Sequence, residues 1–92
     1  MIYTVVWVPS AEAELARIWV QARDKKAVAH AADQIDATLR VDPQLRGVPN
    51  VGPTRSLVIA PLGIIFRVSE PDRLVQVLVV EYTPTYTTNG AP

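Results

Sequence analysis

Four side chains in the second half of the sequence, Arg55, Arg67, Tyr82 and Tyr86, have the chemistry to handle a charged substrate that exchanges protons. A guanidinium can neutralise charge that builds on a reacting phosphate, and a phenol can exchange a proton when nearby cations lower its pKa from about 10. Each has a plainer reading. A strand arginine at a sheet edge is ordinarily solvated or ion-paired, and a tyrosine commonly closes a core with its hydroxyl in water. Glu81, beside Tyr82, would repel a phosphate, so a salt bridge with Arg67 or Arg55 is the expected role. His30 stands among Ala27, Ala29, Ala31 and Ala32 with no second His or Asp at ligand spacing on its face, and reads as a surface or packing histidine. No glycine-rich phosphate loop, Ser/His/Asp set or metal-ligand cluster appears in the sequence.

These residues must be positioned by the stretch from Leu57 to Tyr82, which holds two apolar runs, LVIAPLGIIFRV and LVQVLVVEY, joined by Ser69 to Arg73. The Ala-Pro-Leu-Gly break from Ala60 to Gly63 divides the first run, so three strands are predicted here. Alternation puts Ile64, Phe66 and Val68 on one face and Gly63, Ile65 and Arg67 on the other. In the last strand it groups Val75, Val77, Val79 and Glu81 against Leu74, Gln76, Leu78, Val80 and Tyr82. Both faces read as too apolar for a sheet with one side in water.

The first half supplies one more strand and two helices. Ile2 to Val8 is almost wholly apolar or β-branched and ends at Pro9. Ser10 then stands as an N-cap, with Glu12 and Glu14 against the helix dipole, and the apolar stripe Ala11, Leu15, Ile18, Trp19, Ala22 predicts a helix over Ala11 to Arg23. Asp24 can cap a second helix whose stripe is Val28, Ala32, Ile35 and Leu39, ending before Asp42-Pro43. Trp7 and Trp19 read as core anchors. A helical hairpin covers only one side of a sheet, so the other is predicted to be covered by the C-terminal tail, a second copy or a different chain. Pro43 to Pro53 reads as a plain connector, and Thr83 to Pro92, without charge, as a tail poorly ordered past Tyr86.

Ninety-two residues make one domain over 1–92, and the absence of cysteine excludes disulfide and thiolate chemistry and favours a reducing, cytoplasmic setting. Nine basic residues balance nine acidic ones, and the balance holds within each half. No basic stripe of the kind that holds nucleic acid is present. MIYTVVWV lacks a basic n-region and is read as a strand rather than a signal peptide, and no apolar run approaches the ~20 residues of a membrane span.

The order strand, two helices, three strands, carried by VVWVPSAEAELARIW, AADQIDATLRVDP, RSLVIAPLGIIFRV and LVQVLVV, resembles the RelE/ParE toxin superfamily of bacterial type II toxin–antitoxin systems from residue 3 to about 82. The resemblance implies an α+β fold, β-α-α-β-β-β, with an antiparallel four-stranded sheet against an N-terminal helical hairpin. It implies an antitoxin partner that wraps the toxin, and no cofactor. One branch cuts messenger RNA in the ribosome without a metal, which would make Arg55, Arg67 and Tyr82 or Tyr86 the catalytic candidates; the ParE branch poisons DNA gyrase. The ribonuclease pattern is only partly present, since Gly63 stands where an arginine is expected. A member that has lost toxicity, serving as a binding or homodimerisation module, is the third reading.

Overall fold

A computed structural model of the chain describes residues 2–84, and its first helix begins two residues earlier than the capping hydroxyl suggests. Helix α1 spans Pro9–Gln21 with Val8 at the N-cap, and no side chain caps it. Proline has no N–H to leave unpaired and its fixed φ suits the first helical position, so Pro9 starts the helix and Ser10 falls within its first turn. The helix stops at Gln21, where Ala22 turns extended, and Lys25 Nζ donates to the Val20 and Ala22 carbonyls at 2.9 and 3.0 Å. Helix α2, Lys25–Leu39, opens as expected: Asp24 Oδ1 accepts the Ala27 N–H at 3.0 Å.

Among the described residues five strands form one sheet: β1 Thr4–Trp7, β2 Val48–Pro49, β3 Thr54–Ile59, β4 Leu62–Ser69 and β5 Leu74–Tyr82, in the order β1-β5-β4-β3-β2. The expected sheet had four antiparallel strands. The fifth is β2, two residues of the loop read as a plain connector, and β1 runs parallel to β5. Two residues give no period to read, and the helical hairpin brings the chain back so that β1 and β5 point the same way.

The helices cover one face. Its core is Val28, Ile35 and Leu39 from α2 with Leu62, Phe66, Val75 and Val77 from the sheet, all essentially inaccessible to water. The alternation expected for β5 breaks at Leu78. Phe66 pairs with Val77 but Ile65 pairs with Val79, so Leu78 is an extra residue, and Val80 joins Val75 and Val77 on the core face while Val79 turns outward. Trp19, expected in the core, is 44% exposed. Its neighbour Ile18 faces the sheet, and one residue of helical rotation carries Trp19 round towards α2. Trp7 is half-buried and donates from Nε1 to Asp36 Oδ1 at 2.8 Å, tying β1 to α2.

The uncovered face does not match the expected apolar layer. By register it carries Thr4, Thr54, Ser56, Arg67, Gln76 and Glu81 among Val6, Val58, Ile65, Leu74 and Val79. Polar side chains interrupt every row, so this face can stay in water and does not by itself demand a cover.

At the far end of β1, the buried Tyr3 donates its hydroxyl to Glu70 Oε1 at 2.7 Å, and the Arg73 guanidinium lies 5.6 Å from the ring centre. The hydrogen bond to Glu70 raises the Tyr3 pKa above 10.0, with burial and the Glu70 charge adding to it and Arg73 opposing it. No helix among the described residues is long and apolar enough to cross a membrane.

Candidate functional site

Arg55 is occupied by the fold. Its Nε donates to the Arg46 carbonyl at 2.8 Å and a terminal nitrogen to the Gly47 carbonyl at 3.2 Å, so the guanidinium pins the loop leading into β2. The loop passes so close to β3 that Gly47, at φ +63°, has no space for a side chain: a Cβ there would overlap the Ser56 carbonyl oxygen.

Arg55 pairs with Phe66, whose side chain is fully buried, and therefore emerges on the helical side of the sheet. Arg67 follows Phe66, projects from the open face, and donates to Gln76 Oε1 at 2.7 Å. Tyr82 pairs with Leu62 on the helical side, about 13 Å along β4 from the level of Arg55. The structure brings no two of these three together, and Tyr86 lies outside the described residues. Glu81 pairs with Gly63, four positions along β4 from Arg67, and makes none of the expected salt bridges among the described residues. His30 is exposed on α2, and the described residues contain no group of three or more His, Asp and Glu able to hold a metal ion.

Two of the concavities among the described residues involve the helical hairpin and bear on these candidates. A recess of about 340 Å³ is lined by Ile18, Gln21, Ala22, Arg23 and Tyr82, so Arg23, which the sequence did not associate with Tyr82, borders the same recess. The other is an apolar groove of about 490 Å³ along the outer side of the hairpin, where Leu15, Ala16, Trp19 and Val20 of α1 face Val28, Ala29 and Ala32 of α2. Val20 is 64% exposed, an expensive placement for an aliphatic side chain that nothing in the chain covers among the described residues. The signal for it was an apolar residue off the core stripe facing a run of alanines.

The groove is electrically asymmetric. Lys25, held 5.3 Å from the centre of the Trp19 ring, stands at the hairpin turn, while Glu12 and Asp33 line the opposite end. Small residues along the floor let another helix approach closely, and the two carboxylates favour a cationic flank on whatever lies there.

No family model matches the sequence, and no curated protein matches it. Solved structures do. The RelBE2 toxin–antitoxin complex of Mycobacterium tuberculosis contains a chain that superposes with a TM-score of 0.74 at 19% identity, over 89% of this chain and 92% of that one. A chain of the chromosomal ParDE system of P. aeruginosa gives 0.63 at 23% identity over 89% and 97%, and a double-arginine variant of the E. coli toxin RelE in its free state gives 0.66 at 12% identity over 89% and 84%. With two helices packed on one face of a sheet whose last strand lies between the first and the fourth, this chain has the RelE/ParE toxin fold.

Proposed function

We propose that this chain is the toxin of a two-gene toxin–antitoxin pair, held by an antitoxin that lays an amphipathic helix in the groove between α1 and α2. The observation that carries the reading is the exposed apolar lining of that groove, with Trp19 and Val20 in solvent, on a chain with the fold of such toxins. An apolar helix with a basic flank would cover the lining and meet Glu12 and Asp33.

The same reading makes the toxin one that acts by binding a cytoplasmic protein, as the gyrase-poisoning branch does, rather than by cutting messenger RNA. Metal-free cleavage requires cations converging on one phosphate and a base within reach of the 2′-hydroxyl. Arg55 and Arg67 on opposite faces of the sheet support the binding mode.

Induced expression with and without the adjoining open reading frame tests both parts. Growth arrest relieved by the neighbour, intact messenger RNA, and inhibition of purified gyrase by the chain are the expected results. Harmless expression with no co-purifying small protein overturns the toxin reading and leaves a binding module. Messenger cleavage that disappears in Arg67→Ala establishes the ribonuclease instead.

A further inference from the structure

The open face of the sheet carries its two charges in a self-matching arrangement. One row crosses four strands without a charge: Val48 pairs with Ser56, Ser56 with Ile65, and Ile65 with Val79. Along β4, Arg67 stands two residues from Ile65 in one direction and Gly63 two residues in the other. Glu81 pairs with Gly63 and leans over it, its Cγ 3.6 Å from the position a Gly63 Cβ would take. A cation and a carboxylate therefore flank Ile65 on the same strand, each about 7 Å away. Among the described strand residues of this face they are the only charges.

Opposite charges at equal distances from an apolar centre match themselves after a half turn. With a second copy turned by 180° about the line of the Val48-Ser56-Ile65-Val79 row and laid face to face, each strand crosses its own counterpart. Ile65 then meets Ile65, and Arg67 of each copy comes over Gly63 and Glu81 of the other. The exposed Val48 and Val79 cover their counterparts, and the exposed Val58 comes over Thr54. Aligned sheets pack about 10 Å apart with strands within about 30° of each other, a gap that an arginine and a glutamate reaching towards each other can close. The bond from Arg67 to Gln76 Oε1 already holds the guanidinium on this face.

We propose that the open face is where a second copy of this chain docks, as a two-fold dimer centred on Ile65 and held by two Arg67–Glu81 pairs. The hairpin groove lies on the other side of the sheet, so the dimer leaves it open and stands independently of the toxin reading. A nucleic acid fits this face less well, because its phosphates would meet Glu81 as well as the single arginine. The patch is about 19 Å across four strands and about 13 Å long from Gly63 to Arg67, small for a protein interface, and polar side chains share each row. The dimer is accordingly reversible and forms at chain concentrations on the order of 100 μM.

Sedimentation equilibrium of the full chain up to about 1 mM tests this, with a concentration-dependent monomer–dimer equilibrium expected. Arg67→Glu and Glu81→Arg each set like charges against one another across the two-fold and weaken the dimer at least about tenfold, with melting temperatures nearly unchanged because both side chains are exposed. The double variant Arg67→Glu/Glu81→Arg exchanges the charges and returns the dissociation constant to within about threefold of wild type. Positions 67 and 81 are about 13 Å apart within one chain, so that recovery requires them to meet between copies. Val79→Glu, which brings two carboxylates together on the axis, abolishes the dimer. A chain that stays monomeric throughout, a dimer indifferent to both single reversals, or a folded double variant that fails to recover overturns the proposal. A dimer dissolved by Ala16→Glu but not by Val79→Glu moves the contact to the groove and overturns it as well. Proton contacts from Tyr86 to the Val58 and Val79 methyls in a monomeric chain give the face to the chain's own tail, with the same consequence.

Discussion

Arg55 and Arg67 belong to one β-hairpin and point to opposite sides of it: Arg55, paired with Phe66, holds the Arg46–Gly47 backbone on the helical side, and Arg67, paired with Thr54, reaches Gln76 on the open side. The two cations thus cannot close on a single anion, and their removal has different consequences. Arg55→Ala, which frees two backbone carbonyls beside β2, destabilises the fold by about 1–3 kcal/mol, whereas Arg67→Ala, on an exposed contact, stays within about 0.5 kcal/mol. Urea denaturation of the two variants measures the difference.

Gly47 is the position where β2 depends on having no side chain. Gly47→Ala must abandon both its φ of +63° and its approach to Ser56, and costs about 2–3 kcal/mol, with loss of β2. The same substitution at Gly52, also at positive φ but with open space around it, carries only the conformational part of that cost, about 1 kcal/mol. Thermal melts of the two variants separate overlap from conformation.

The bulge at Leu78 makes a prediction that simple alternation would reverse. Val80→Ala empties part of the core and costs about 2 kcal/mol, while Val79→Ala, on the open face, stays within about 0.5 kcal/mol.

Tyr3 gives the fold a dependence on alkaline pH. Its folded-state pKa is raised by the hydrogen bond to Glu70, so the neutral phenol is favoured in the native state. The stability this contributes is fully present below the ordinary pKa near 10.0 and is lost as pH rises through the higher folded value. Denaturation midpoints measured across pH 9 to about 12 fall for the wild-type chain, and the part of that fall owed to Tyr3 is absent in Tyr3→Phe.

Much of this architecture was legible in the residues. Asp24 marked the start of α2, Ala60-Pro61 split the apolar run into β3 and β4, and the stripes placed Ile18, Val28, Ile35 and Leu39 in the core. Where the reading departed from the fold, the cause was local geometry without periodicity. Leu78 looks like any strand residue until its partner strand is present to show that it is extra. β2 exists because Arg55 and Gly47 bring a loop against β3, a tertiary cause invisible in Val48-Pro49 itself. Trp19 read as core because it lies on the apolar stripe of α1 beside Ile18, and nothing in α1 alone said that the stripe was narrow enough for Ile18 to take the sheet and leave Trp19 to the groove. The candidate site fared worst, since four suitable side chains do not make a site until register decides which face each one occupies.

On the function proposed above, a partner chain holds this protein at the groove between α1 and α2. Ala16 lines it and is exposed, so Ala16→Glu puts a carboxylate into the lining without disturbing the core. Affinity of the adjoining gene's product for the wild-type and Ala16→Glu chains, measured by titration calorimetry, is the most direct test. If the partner lies in the groove, Ala16→Glu lowers affinity at least about a hundredfold with an unchanged melting temperature, as expected for a charge buried without a partner; equal affinity for the two chains rules the groove out.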